Sequence, residues 1–241
     1  MLSNKTIARI LEGGAEACRS AGIPIAGGHT IDSVEPIYGL AVIGIVDPKL
    51  LKKNSTAHAG DVLVLGKSLG VGIYSAALKK NKLPDDLYDR MIASTTQLNT
   101  PGERLACLPG VHALTDVTGF GLLGHALEIC KGSDLQGQIR YSDLNILPGV
   151  MDLAADGCIT GASNRNWISY GDQVSIHDSL GELEKVLLTD PQTSGGLLVA
   201  CDPSAVDEVL RIFREEGFDF VTEIGSLVQR NHSPHYLTVL A

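Results

Sequence analysis

Three polar, glycine-containing turns hold the groups in this sequence whose types and spacing could do chemistry. The first is Gly27-Gly28-His29-Thr30. Paired glycines let backbone N–H groups approach an anion closely, and Thr30 adds a hydroxyl donor. The same four residues also read as a tight turn with a surface histidine. The second is Thr115-Asp116-Val117-Thr118-Gly119-Phe120-Gly121. A carboxylate at a strand end, just before a glycine turn that opens a helix, suits a magnesium ligand facing phosphates at the helix N-terminus. The alternative is that Asp116 or Thr118 caps that helix. The third is Asp190-Pro191-Gln192-Thr193-Ser194-Gly195-Gly196. Asp-Pro initiates a turn, and Ser-Gly-Gly leads into a strand with little steric demand. No base sits within it, so a structural loop between sheet and helix is expected rather than direct catalysis.

Other chemistries find no support. Gly66-Lys67-Ser68 resembles the end of a P-loop, but that motif needs glycine at position 61, where Asp61 stands. Lys67 then has two readings, a point charge reaching a phosphate or a solvated lysine at a strand end. There is no Gly-x-Ser-x-Gly and no His-Glu-x-x-His. The seven histidines are scattered, and His125 falls on an expected helix in a packed or surface role.

Apolar runs alternating with helical periods must position these turns. Ile7, Ile10, Leu11 and Ala15 recur at helical spacing across 4–22, with Gly22 as the stop. Ile37–Val46 is a continuous branched run and reads as a buried strand. Asp47-Pro48 and the polar stretch through Thr56 mark a domain boundary. Beyond it the pattern predicts strands at 62–65, 113–117, 138–141, 221–228 and 236–240. Helices are expected from Gly72 through Leu78, over 85–107 with a break near Thr100-Pro101, from Gly121 through Cys130 and over 203–216. Val186–Leu188 and Gly196–Ala200 are the apolar stretches flanking the third turn. Alternation of this kind indicates an α/β, or α+β layered, fold.

Composition narrows the class further. The 241 residues are long enough for a sizeable core, and 44% hydrophobic with 20% charged residues is ordinary globular usage, which excludes disorder. A net charge of −9 and 5% aromatics exclude the basic footprint and stacking platforms of a nucleic-acid binder. No segment is apolar over the length of a membrane span. Five cysteines, an odd count without a Cys-x-x-Cys pair, fit a reducing compartment, so a cytoplasmic location is expected.

Taken together, the segments resemble the selenide, water dikinase (selenophosphate synthetase) family. The resemblance is carried, in family order, by Ala26-Gly-Gly-His-Thr-Ile-Asp with Glu35-Pro-Ile-Tyr-Gly-Leu-Ala-Val, by Lys52-Lys-Asn-Ser-Thr-Ala, and by Thr115-Asp-Val-Thr-Gly-Phe-Gly-Leu-Leu-Gly-His. Arg165-Asn with Ser169-Tyr-Gly and Asp190-Pro-Gln-Thr-Ser-Gly-Gly-Leu-Leu follow. It extends to the wider superfamily of aminoimidazole ribonucleotide synthetase and thiamine-phosphate kinase, whose members bind ATP between two α/β domains. What it implies is selenophosphate synthesis from ATP, selenide and water, giving AMP and orthophosphate. It further implies that Gly28, His29 and Thr30 line the ATP site, that Asp116 is a Mg2+ ligand, and that Arg165 and Asn166 face the substrate or phosphate. Homodimers would form by pairing the sheets of two N-terminal domains, to which 37–46 would contribute.

The resemblance also implies a departure. The family's glycine-rich N-terminal segment, with its catalytic cysteine or selenocysteine and lysine, has no counterpart here, and Cys18 lies inside the first helix. The expectation is a remnant of a ferredoxin-like ATP-binding domain (1–47) followed by a complete C-terminal α/β domain (48–241). This chain would hold no catalytic residue of its own and would be inactive alone. A superfamily enzyme with another acceptor, or a non-catalytic dimerising fragment, are the alternative readings.

Overall fold

The computed structural model describes residues 2–231 and 233–241. The chain separates into two units, Met1–Lys49 and Leu50–Ala241.

In the first unit, helix α1 (Asn4–Ser20) starts where the Ser3 hydroxyl accepts the Thr6 amide, satisfying one of the donors a helix start leaves open. It stops at Gly22, whose φ of +68° favours a residue without a side chain. Gly14 is buried against the Tyr38 ring, and a Cβ there would occupy the position of the tyrosine hydroxyl. The expected strand over 37–46 does not form: these residues carry no regular structure, and Ile43 and Ile45 are 94% and 104% exposed. Apolarity alone does not make a strand, because its backbone groups need a hydrogen-bonded neighbour. Among the described residues, no strand pairs with this segment.

The second unit is built in the order β1 (Val62–Leu65), α2 (Val71–Lys79), α3 (Asp85–Thr96), α4 (Pro101–Ala106), β2 (Val111–Asp116), α5 (Gly121–Gly132), β3 (Leu135–Arg140) and α6 (Val150–Ala155). It continues through α7 (Gly161–Tyr170), β4 (Val174–Ile176), α8 (Glu182–Leu188), β5 (Leu197–Cys201), α9 (Val206–Glu215), β6 (Thr222–Gln229) and β7 (Leu237–Leu240). The break between α3 and α4 falls where expected, with Pro101 in the first turn of α4, the place where its missing N–H costs nothing. Val186–Leu188 is the last turn of α8, and α6, α7 and β4 have no counterpart in the pattern-based reading.

The strands form one mixed seven-stranded sheet in the order β2-β5-β1-β6-β3-β7-β4. Pairing is antiparallel from β2 to β3 and parallel on either side of β7. Strand periodicity sends alternate side chains to opposite faces. Leu63, Leu65, Leu198 and Ala200 point into a large core with Ile73, Tyr74, Leu122 and Leu187 of α2, α5 and α8. Val64, Val199 and Cys201 point into a smaller core with Leu105 of α4 and Ile212 and Phe213 of α9. The sheet is therefore covered on both faces, as the continuous apolar runs of its strands β1 and β5 require. No helix among the described residues is long and apolar enough to cross a membrane.

Candidate functional site

The second of the three turns is held rigidly by its own chain. Asp116 is the last residue of β2 and is exposed. Immediately after it, the Val117 amide donates to the Gly196 carbonyl at 2.9 Å, and the Gln192 amide donates to the Thr118 carbonyl at 2.9 Å. A Cβ on Gly195 would collide with the Val117 carbonyl oxygen, so the two turns meet backbone to backbone. Gly121, at φ +69°, lies against the Thr189 backbone. Helix α7 closes the other side. Asn166 Nδ2 donates to the Gly119 and Thr189 carbonyls at 2.9 and 3.0 Å, and the Tyr170 hydroxyl donates to the Phe120 carbonyl at 2.6 Å.

Within this frame the side chains divide into used and unused. Helix α5 begins after Phe120 with no side-chain cap hydrogen bond, so neither Asp116 nor Thr118 caps it. The Thr118 hydroxyl lies 3.2 Å from His125 Nε2, and His125 Nδ1 lies 3.2 Å from a Glu128 carboxylate oxygen, which accounts for this buried histidine. A Cβ on Gly119 would meet nothing within 4 Å, so the backbone beside Asp116 is open. An exposed carboxylate next to bare backbone, on a loop that its neighbours immobilise, is chemically suited to a hard cation that keeps several waters and shares phosphate oxygens.

The third turn is structural, as its lack of a base suggests. Asp190 is fully buried, and its Oδ2 accepts from the Ile73 amide at 3.1 Å. Gln192 Oε1 accepts from the Gly70 and Val71 amides, each at 3.2 Å. Together they satisfy the free amides at the start of α2. Burial pushes the Asp190 carboxyl up to about 7, against the opposing pull of the Ile73 and Gly72 amides and the Gln192 side chain.

Lys67 corrects both expectations made for it. It neither reaches out as a free charge nor sits in solvent: it is 4% exposed, and its ammonium donates to the carbonyls of Ser94, Gln97 and Ser194 at 3.0, 2.7 and 2.7 Å. Burial lowers its pKa to about 8. The lysine is thus a bolt holding the end of α3 to the third turn.

Gly27, Gly28, His29 and Thr30 lie in the first unit, exposed and without regular structure, and a Cβ on either glycine would meet nothing within 4 Å. On α7, Arg165 is exposed, whereas Asn166 is buried and committed to the two carbonyls described above. That bracing role went unread in the sequence. Its signal was Thr160, whose hydroxyl accepts from the Ser163 amide and starts α7. The cysteines are all free. Burial pushes the thiols of Cys130 and Cys201 up to about 12, which removes them as nucleophiles.

This fold and loop arrangement define a class. The chain belongs to the AIR synthase related family: residues 58–237 match the family's C-terminal domain and residues 2–46 its N-terminal domain. Within that class it is 60% identical over 229 residues to a selenide, water dikinase of Dechloromonas aromatica (strain RCB), a match covering 95% of this chain and 66% of that protein. It is 60% identical over 228 residues to a selenide, water dikinase of Burkholderia orbicola (strain MC0-3), covering 95% of this chain and 64% of that protein. The chain thus spans about two-thirds of the length of these curated relatives. In fold it is similar to the hydrogenase maturation protein HypE solved in complex with ATP, at a TM-score of 0.63 and 18% identity, covering 95% of this chain and 62% of that one.

Proposed function

We propose that this chain is part of a selenophosphate-synthesising enzyme that consumes ATP, selenide and water and releases AMP and orthophosphate. The observation that carries this reading is the 60% identity to proteins named selenide, water dikinase across 95% of the chain. In this reading Asp116 holds Mg2+, which would neutralise phosphate charge during transfer. Its exposure, and its freedom from any capping duty, support that role. Gly28, His29 and Thr30 line the ATP site, supported by the open space around the two glycines. Residues 1–47 belong to an ATP-binding and dimerisation domain and 48–241 to its companion domain. The free thiols accord with a cytoplasmic setting. The exposed apolar segment 37–46 pairs with a second copy to make a homodimer, and Val42→Lys is expected to weaken self-association in light scattering while leaving the second unit folded.

The test compares the chain alone with the chain supplied with the part of the relatives it does not match. Selenide-dependent AMP formation is expected only in the second case, since one carboxylate cannot neutralise a triphosphate undergoing transfer. Asp116→Asn in the active form is expected to cut magnesium-dependent turnover by roughly three orders of magnitude with an unchanged melting temperature. Turnover within a few-fold of the parent would remove Asp116 from the metal site. Equal turnover without selenide would point to a different acceptor.

A further inference from the structure

At the end of the sheet opposite Asp116, three side chains converge that the proposed function leaves unused. Asp61 immediately precedes β1 and His112 is the second residue of β2. The four residues from His112 to Asp116 separate the two ends by about 13 Å, at about 3.3 Å per strand residue. His112 Nδ1 lies 2.8 Å from Asp61 Oδ1, and the rings of His58 and His112 are 4.0 Å apart between centroids. One ligand atom from each of His58, Asp61 and His112 lies within 4.8 Å of the others.

The local backbone is built to bring them together. Val111 pairs with Cys201 and Ala113 with Ala200, so His112 is an extra residue in the ladder, a β-bulge. Such a bulge turns one side chain away from its regular direction. His58 and Asp61 are the ends of a tight turn, in which the Asp61 amide donates to the His58 carbonyl at 3.1 Å and the His58 amide donates to Asp61 Oδ2 at 2.8 Å. The turn is pinned to β6 by Gly60 and Asp61, through bonds of 2.7 and 2.8 Å to Leu227. The Thr56 hydroxyl donates to the His112 carbonyl at 2.6 Å, tying the approach to this turn to β2. Asp61 is 2% exposed, while His58 is exposed.

We propose that His58, Asp61 and His112 form a binding site for a late first-row divalent cation, with Zn2+ as the reference ion. Two imidazoles and one carboxylate, with an open side toward solvent, are the donor set of such ions, and hard Mg2+ would instead demand oxygen ligands. Ligands about 2.0–2.1 Å from a tetrahedral ion stand about 3.3 Å apart, so only a modest swing of exposed His58 closes the site. A buried carboxylate beside two neighbouring imidazoles also supplies the charge that a cation completes. The competing view is that Asp61 and His112 form an ordinary hydrogen-bonded pair that fixes the start of β2, with His58 a bystander.

Titration of the whole chain with Co2+ separates the two. One equivalent is expected to bind with the visible absorption of a four-coordinate ion and to be displaced by Zn2+. His58→Ala, at an exposed position, is expected to weaken binding about tenfold or more without changing the circular dichroism or melting temperature. His112→Gln is expected to weaken it at least as much, and Asp116→Asn to leave it unchanged. Absence of saturable binding would overturn the site, as would binding that persists unaltered in His58→Ala. If His112→Gln fails to fold, the His58→Ala result decides alone, and His58→Cys should then restore binding with a thiolate-to-cobalt charge-transfer band.

Discussion

The Gly27–Thr30 turn and the Asp116–Gly121 turn carry similar residues, yet their surroundings are opposite. A Cβ on Gly27 or Gly28 would meet nothing within 4 Å, and the chain that follows leaves Ile43 and Ile45 in solvent. Beside Asp116 the Val117 amide and the carbonyls of Thr118, Gly119 and Phe120 are each held, by the third turn and by α7, while the Asp116 carboxylate is exposed. The contrast teaches that similar turn chemistry leaves rigidity undecided: one turn is preorganised by hydrogen bonds within its own unit, whereas the other is exposed and without regular structure. Under the proposed function, phosphoryl transfer would draw on positioning and charge neutralisation, and of the two turns only the one at Asp116 is positioned by its own unit.

The comparison breaks most sharply at glycine. Gly195→Ala drives a methyl group into the Val117 carbonyl, which cannot yield without dismantling both turns. A loss of roughly 3 kcal/mol or more is expected in urea unfolding. A cost under about 1 kcal/mol would show that the anchor is softer than its contacts imply.

Asp190 gives the next effect, and it depends on pH. Its carboxyl is raised from 3.8 to about 7, so between those values the folded protein binds more protons than the unfolded chain. The stability it contributes is full below about pH 4 and is lost as pH rises through about 7, a fall of about 4 kcal/mol. Asp190→Asn cannot ionise and should show a flatter profile from pH 4 to 7 in chemical denaturation. A wild-type profile that is already flat there would mean that the helix amides compensate the charge fully.

Lys67→Met comes next. It keeps the bulk of the stem but leaves the carbonyls of Ser94, Gln97 and Ser194 without their donor, for a cost of about 2 kcal/mol in the melting curve. Gly28→Ala should do least, within about 0.5 kcal/mol of the parent, because no atom stands where its methyl would go. A large loss of stability in Gly28→Ala would erase the contrast between the two turns.

Much of this was legible from spacing. The strand at 62–65 and the helices beginning at Asp85, Gly121 and Val206 announce themselves by apolar period and by glycine or proline at their ends. The invisible parts share a physical cause, which is dependence on distant partners. Helix α7, Gly-Ala-Ser-Asn-Arg-Asn-Trp-Ile-Ser-Tyr, has little apolar pattern because Asn166 and Tyr170 spend their side chains on carbonyls of other loops. Lys67 reads as a surface charge until three carbonyls from two separate segments surround it. The run 37–46 has a strand's composition and lacks a strand's neighbour. The place of Asp116 at a strand end was legible because its sequence context, strand then glycine turn, is local. The loop that fixes it lies more than seventy residues away and could be matched to it only in three dimensions.

The sheet order also bears on how the protein is made. Strand β7, the last strand of the sheet to leave a ribosome, lies between β3 and β4 rather than at an edge. Strand β4 pairs with β7 and with no other strand among the described residues. During synthesis β4 must therefore wait, its hydrogen-bonding groups unmatched, until Leu237–Leu240 has emerged. The sheet cannot grow in step with the nascent chain; it closes late, by insertion, and a chain cut just before Leu237 would leave a slot in the sheet beside β3 and an orphaned β4.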